Sequence, residues 1–519
     1  MKQLALDTQS FENLRNTDSV YVDKTEVIYK MITGGRIYFL SRPRRFGKSL
    51  LVSTLEAIFK GKKDLFDGLY IYDKWKWEQY PVIKIDWTSV SHSTPEEMKS
   101  SLIFHLKNIA QDYGITLEAE FAPDCFRELI KSLYTITGKQ VVVLIDEYDK
   151  PITAHITDSH LEAIKTTVHN FYQVMKGSDE YLHFVLLTGV SKFSGLSIFS
   201  ALNNPRDITL REEYATICGY TQEELESNFS EYIDRAAEYL KMTREEVLEK
   251  IRYWYNGYTW DGKTAIYNPF STMNFFQVRR FTGYWFRSGT PTFLIEIIQR
   301  RDSMEGVLEP IVVDESIFDE YDPADINEIP LLFQTGYLTI KQMELTADGF
   351  AEYTLGIPNM EVNKSLLKHL LKAYGKYPSE WFIDDLRKTV QRQIMNFDEA
   401  GFARSLEVMM ATIPSLLHVQ QERYYHSLML LWLRSLGFKT RGEEHTNIGR
   451  LDAVLEQPGL TVIAEMKYHA DEPIDQLLDK AMKQIHEKRY YNKYLGKILL
   501  LGIAFSEKQS GCRMEELER

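Results

Sequence analysis

The sequence predicts an α/β protein with a parallel-sheet domain in its first half, a small middle region and a second, C-terminal α/β domain. Three observations predict it. RIYFL at 36–40 reads as a strand, SRPRRFGKS at 41–49 as a basic loop, and LLVSTLEAIFK after it carries apolar residues at helical spacing. QVVVLIDE at 140–147 is a β-branched apolar run that ends in two carboxylates. Toward the C-terminal end, LTVIAEMKY and KILLLGIAF bracket a charged helical segment.

Bulk properties bound the rest. At 519 residues the chain exceeds a single hydrophobic core, so two to four domains are expected. A hydrophobic share of 44% with 26% charged residues is that of an ordinary globular protein. Lys and Arg number 61 against 74 Asp and Glu, a formal net charge of −13. That balance argues against a protein that coats nucleic acid nonspecifically, yet it leaves room for a local basic groove. Cys125, Cys218 and Cys512 form neither a disulfide framework nor a metal-ligand spacing, which fits a reducing cytoplasm. The first residues lack the apolar core of a signal peptide, and no apolar run approaches the ~18 residues that span a bilayer.

Strand, loop and helix in this order are the context of a phosphate-binding loop. Its amides and the helix N-terminus would face phosphate oxygens. Lys48 would reach the β- and γ-phosphates, and the Ser49 hydroxyl would ligate Mg²⁺. Arg42 stands where the usual G-x-x-x-x-G-K-[ST] pattern has its first glycine, so the loop is expected to curve differently there. The plainer alternative, a basic turn beside a helix cap, is weakened by the second motif. A central strand over Val141–Ile145 would deliver Asp146 to the Mg²⁺ shell, and Glu147 would polarise an attacking water as general base. The candidate nucleotide-binding set is Arg45, Gly47, Lys48, Ser49, Asp146 and Ser191.

Further strands are expected at 82–86 (VIKID), 184–188 (FVLLT) and, briefly, 208–210, with helices at 94–112, 122–134 and 160–176. This alternation argues for a parallel sheet with helices on both faces and a ligand beyond the strand C-termini. Thr188 and Ser191 sit where a polar residue could sense the γ-phosphate. Arg44, Arg45 and Lys192 could contact phosphate or nucleic acid, or pair with acids such as Asp149.

In the middle, Thr221 and Glu224 have capping-box spacing. Asn256-Gly257 and Asp261-Gly262 signal turns around short strands. The aromatics of RYWYNGYTW more readily pack a satellite core than stack on a base. Residues 324–360 read as a short helix and two strands, and 360–418 as mostly helical.

In the C-terminal part, an amphipathic helix over 419–436 carries Glu422 near its start. Glu465 and Lys467 are two apart on one strand and share a face, and Asp452 lies on the preceding hairpin strand. Asp452 and Glu465 can hold a divalent cation through hard oxygens, while Lys467 can act on a metal-bound water or a developing phosphorane charge. That toolkit suits phosphodiester hydrolysis. An ordinary hairpin with surface charges is the alternative, and the basic helix downstream counts against it. There Gln484 and Lys488 form an i,i+4 pair that could meet backbone phosphate. His469 has no companion at zinc-ligand spacing.

Taken together these segments resemble a known family. The first half carries VDKTEVI at 22–28, RPRRFGKSL at 42–50, VVLIDEYDKPI at 142–152, LTGVSKFSGLSIFSALNN at 187–204, YATICGYTQEEL at 214–225, and WYNGY with YNPFS at 254–271. The C-terminal part carries ERYYHSLML at 422–430, TNIGRLDAV at 446–454, AEMKY at 464–468 and QIHEKRYYNKY at 484–494. Over nearly its whole length the chain resembles the bacterial and archaeal AAA-ATPase-like proteins fused to a C-terminal PD-(D/E)XK nuclease-superfamily domain.

The resemblance implies an AAA-like P-loop domain over 1–270, a lid- or winged-like region over 271–360, a helical connector over 361–418 and a restriction-endonuclease-like domain over 419–519. It implies ATP and Mg²⁺ (with Mn²⁺ as substitute) at Lys48, Ser49, Asp146 and Glu147. It further implies that Glu422, Asp452, Glu465 and Lys467 form the nuclease constellation, with Gln484 auxiliary. An RPRRFGK loop is typical of that family, and Leu451-Asp452 replaces its proline-aspartate pair.

The leading expectation is a cytoplasmic ATPase with a metal-dependent nuclease module acting on nucleic acid, DNA before RNA, possible as a homo-oligomer and with no membrane contact. Arg206 and Arg211 are candidates for an arginine that completes a neighbour's site. The alternatives are a nucleotide-dependent binding switch whose nuclease fold does not cut, and a nucleotide-dependent assembly scaffold. Asp452, Glu465 and Lys467 together favour the first.

Overall fold

The computed structural model describes residues 1–156, 158–193, 205–285, 310–318, 328–366, 380–411, 425, 429–430, 432–433, 439–446, 449–457, 459–506 and 509–518. The chain divides into two compact units, Met1–Thr290 with Ile311–Val362, and Pro291–Pro310 with Asn363–Arg519.

The first unit is built on five parallel strands: β1 (Ile37–Ser41), β2 (Val82–Asp86), β3 (Val141–Asp146), β4 (Leu182–Gly189) and β5 (Arg206–Asp207), in the order β2-β3-β4-β1-β5. β3 is buried at every position, as its unbroken β-branched run requires in a sheet covered on both faces. β4 lies between the loop-bearing β1 and the acidic β3, pairing Leu40 with Thr188 and Ile145 with Leu187. The last strand is displaced from the expected 208–210. Only Arg206 and Asp207 pair with β1, because Asp207 then accepts from the Thr209 amide and turns the chain away.

Helices cover the sheet at Lys48–Phe59, Pro95–Asp112, Ala122–Thr137 and Leu161–Lys176. Two of their ends have a clear local cause. Thr94 accepts from the Glu97 amide with Pro95 at the first turn, and Gly138 closes its helix at φ 64. The Thr221–Glu224 capping box forms as its spacing predicts. A separate cluster packs Leu225, Phe229, Ile233 and Ile251 against Phe275 and Phe276.

The turns at Asn256-Gly257 and Asp261-Gly262 flank single bridges, Tyr258 with Ile266 and Tyr220 with Tyr267, rather than the short strands expected. Tyr258 and Trp260 spend their surface on packing instead of extending a ladder. A short helix, Glu328–Gln334, leads into an antiparallel sheet of order β6-β8-β7, where β6 is Ile311–Asp314, β7 Thr339–Leu345 and β8 Ala351–Gly356.

The second unit holds a mixed five-stranded sheet of order β13-β12-β11-β10-β9. Its strands are β9 (Lys439–Thr446), β10 (Gly449–Gln457), β11 (Leu460–Tyr468), β12 (Lys497–Phe505) and β13 (Ser510–Glu518). β11 and β12 are parallel, and the helix Ile474–Lys488 is the crossover that parallel neighbours need. Among the described residues no helix is long and apolar enough to cross a membrane.

Candidate nucleotide and nuclease sites

The loop after β1 turns through two left-handed residues, Arg45 at φ 68 and Gly47 at φ 97, before the helix begins at Lys48. Glycine bears the larger angle at no steric cost. Arg42, in the place of the usual first glycine, points inward and is wholly buried. Its guanidinium donates to the carbonyls of Ser41 and Thr209 at 2.8 Å and of Tyr214 at 3.3 Å, and lies 4.1 Å from the centre of the Trp260 ring. Burial lowers its pKa to about 10, still well above neutrality. The arginine thus braces the loop against the chain that follows β5. Phe46 is buried between Tyr258 at 4.7 Å and Trp260 at 5.4 Å. The aromatics of 254–260 therefore support the loop from behind, in keeping with a packing role.

Lys48 is 3% exposed. Its ammonium donates to the Arg42 carbonyl at 2.9 Å and the Pro43 carbonyl at 3.2 Å, and lies 3.7 Å from Glu147. Asp146 ends β3 and accepts from the Thr188 hydroxyl and the Glu147 amide. Burial raises its carboxyl pKa, against the opposing pull of the Ser49 and Thr188 hydroxyls and Lys48. Glu147 follows at φ 54, a left-handed conformation that is uncommon for this residue type. Lys48, Ser49, Asp146 and Glu147 thus converge at the C-terminal edge of the sheet.

Asp149 was expected only as a possible partner for cations. It is buried, and accepts from the amides of Val190 and, at 2.8 Å, Ser191. Burial and the neighbouring Glu147 charge push its carboxyl up to about 6. Ser191 is brought close through its backbone: its amide meets Asp149, and its carbonyl accepts from Tyr148 at 2.7 Å. Lys192 pairs with Asp207 at 2.9 Å, and the Arg45 guanidinium lies 4.7 Å from the Phe270 ring centre. Arg206 donates to the Gly34 carbonyl and Arg211 to that of Asp207.

Two cavities share Ser49. One, of about 340 Å³, is lined by Gly47, Lys48 and Glu147 and by the apolar surfaces of Tyr21, Val22 and Phe270. The other, of about 330 Å³, is polar and includes Asp86 and Asp146. Nothing in the residue types of VDKTEVI or YNPFS marks a role, yet Val22 and Lys24 of the first and Phe270 of the second line the larger cavity. Lys24 lies 2.6 Å from Glu224, the same glutamate that caps its helix.

In the second unit, Glu465 on β11 is 1% exposed and accepts from the Lys467 ammonium at 3.0 Å. It sits in register with Gly502 of β12, where an added Cβ would come within 3.1 Å of Met482 and 3.4 Å of Ala481. The crossover helix therefore packs tightly on the sheet at the level of Glu465. Gln484 is half-buried on that helix beside the buried Ile485. β10 and β11 pair as far as Ala453 with Ala464, the residues that adjoin Asp452 and Glu465 in the sequence. The side chain of Asp452, and all of Glu422, lie outside the described residues. Among the described residues no three His, Cys, Asp or Glu side chains are grouped to hold a metal.

The fold and these sites define a P-loop, AAA-type protein with a second, mixed-sheet α/β domain. A family model described as a predicted AAA-ATPase matches residues 5–199, and one described as the PD-(D/E)XK nuclease superfamily matches residues 420–515. A protein of Azotobacter chroococcum mcd 1, described as an uncharacterized protein in the vnfD 5' region, is 36% identical over 518 residues, covering 97% of this chain and 96% of that protein. The chain belongs to the family of AAA-ATPase-like proteins that carry a C-terminal domain of the PD-(D/E)XK nuclease superfamily. Among solved structures, a chain in the Drosophila ORC complex bound to GC-rich DNA and Cdc6 aligns with 82% of this chain at 11% identity and a TM-score of 0.22. This chain spans 62% of that one, and so weak a likeness carries no argument.

Proposed function

We propose that the protein binds and hydrolyses ATP in its first unit, and that its C-terminal domain cleaves phosphodiester bonds of nucleic acid, DNA before RNA, with Mg²⁺ or Mn²⁺. The observation that carries the first half is the convergence of Lys48, Ser49, Asp146 and Glu147 at the strand ends beside the larger cavity. Ser49 and Asp146 offer hard oxygens that suit Mg²⁺, and Lys48 offers a buried cation to phosphate. Glu147 is the base that would take a proton from water. The apolar part of the lining, Tyr21, Val22 and Phe270, would receive the base and ribose.

The second half is supported by the Glu465–Lys467 pair at 3.0 Å and by the pairing of Ala453 with Ala464, the residues next to Asp452 and Glu465. Asp452 and Glu465, with Glu422, would hold the divalent cation, which supplies Lewis-acid stabilisation and an activated water when bound. Lys467 would hold its positive charge against the reacting phosphate. Nucleotide state would gate cleavage, and a cytoplasmic homo-oligomer is the form in which we expect it to act.

Titration of a fluorescent ATP analogue with Mg²⁺ tests the nucleotide half. The full chain should bind saturably and the Lys48→Ala variant at least about tenfold more weakly, the loss of one buried charge-assisted contact. Equal affinity would overturn the assignment.

A further inference from the structure

The phosphate loop is held on its outer side by residues far along the chain. The Trp285 indole N–H donates to the Arg44 carbonyl at 2.9 Å. In a planar trans peptide the carbonyl and the following amide point in opposite directions, so fixing the Arg44 oxygen also fixes the Arg45 N–H. Arg45 is left-handed at φ 68, a conformation that persists where surroundings impose it. Next to it Pro43 presses on Gly336: a Cβ at 336 would lie 2.8 Å from Pro43 Cβ and Cγ and 3.4 Å from the Trp285 ring. Tyr337 then stacks obliquely on Trp285 at 5.5 Å.

Trp285 is itself anchored. Its backbone amide and that of Tyr284 both donate to one oxygen of Glu361, at 2.9 and 2.5 Å. Glu361 is wholly buried, with its second carboxyl oxygen left unpartnered. The positions of these residues along the chain matter. Val362, the residue after Glu361, is the last of the first unit, and Trp285 precedes the other exit at Thr290. Glu361, one residue before the exit at Val362, is therefore joined by hydrogen bonds to Tyr284 and Trp285 and, through the indole, to the phosphate loop.

We propose that Trp285 is a positioning residue of the nucleotide site, and that the chain Arg44 carbonyl, Trp285, Glu361 carries occupancy of the loop to the segment leading into the second unit. The inference rests on the ATP-binding reading. Phosphate binding that reorients the Arg45 amide must move or restrain the Arg44 carbonyl, and with it the indole.

Hydrogen exchange followed by mass spectrometry on the full chain, with and without ATP and Mg²⁺, tests this. In the wild type, ATP should slow exchange about threefold or more both across the loop at 42–50 and across 358–366. Trp285→Phe keeps the ring and loses the N–H. At saturating ATP its loop should still be protected while 358–366 is not, and its ATP affinity should fall about five- to tenfold, the worth of one hydrogen bond. Glu361→Gln keeps an acceptor oxygen and should retain the wild-type pattern. Protection of 358–366 that persists in Trp285→Phe, or that is missing in a wild type with a protected loop, would overturn the inference alone. A wild-type loop that ATP does not protect would overturn the nucleotide reading and the inference with it.

Discussion

The Lys48 ammonium lies 3.7 Å from the Glu147 carboxylate while donating to the carbonyls of Arg42 and Pro43. One buried cation is thus shared between the loop that would bind phosphate and the residue that would act on water. The relation separates two functions that mutation can test. Glu147→Gln should leave ATP affinity within about twofold and slow hydrolysis at least ~10²-fold, the usual worth of a general base. Lys48→Ala should weaken binding itself. Fluorescent-nucleotide titration and phosphate release read the two effects separately.

Arg42 gives a prediction that runs against the usual loop pattern. Arg42→Gly restores the familiar glycine, yet it removes three carbonyl contacts and the stacking on Trp260. Each buried acceptor left without a donor costs about 1–3 kcal/mol, so the first unit should be destabilised by at least about 3 kcal/mol. Urea unfolding followed by tryptophan fluorescence would show it as an earlier first transition. A glycine variant as stable as the wild type would contradict the bracing role.

Glu361 makes stability depend on pH. Burial raises its carboxyl from the ordinary 4.5 to about 7. The unfolded chain releases this proton first, so between those values the folded state holds more protons and its stability falls as pH rises. The contribution is full below the ordinary glutamate range and lost as pH passes through about 7, on the order of 3 kcal/mol in all. Glu361→Gln, which has no proton to lose, should flatten thermal stability between about pH 5 and 8 relative to the wild type.

Glu465 and Lys467 should matter to one activity only. Glu465→Gln keeps the shape of a buried side chain that accepts from Lys467. It should abolish nucleic-acid cleavage and leave ATP hydrolysis within about twofold, since the charge it removes would serve the metal and Lys467 in the second unit. Parallel cleavage and phosphate-release assays on one preparation check this.

Much of the fold was legible in the sequence, for reasons that particular residues display. Val82–Asp86, Leu460–Tyr468 and Lys497–Phe505 are strands with the expected bounds because short segments rich in β-branched and apolar residues have few alternatives. Thr221 and Glu224 cap their helix because that motif is wholly local. The placement of Lys48, Ser49, Asp146 and Glu147 at one sheet edge followed from strand direction alone.

What escaped was non-local. The inward turn of Arg42 depends on the carbonyls of Thr209 and Tyr214, and the buried Asp149 on the amides of Val190 and Ser191. Tyr21 and Val22 reach the cavity from a segment that precedes β1 altogether. No periodicity marks such contacts. The turn signals at 256–262 misled because the aromatics beside them pack on Phe46 instead of forming strands.

The most direct test of the two-site account is cleavage of labelled linear DNA and single-stranded RNA by the full chain, with Mg²⁺ or Mn²⁺, with and without ATP, beside Lys48→Ala and Lys467→Ala. The account predicts metal-dependent cleavage of DNA that is lost in Lys467→Ala and altered by ATP only where Lys48 is present. Cleavage that survives Lys467→Ala, or none under any condition in a protein that binds ATP through Lys48, would contradict it.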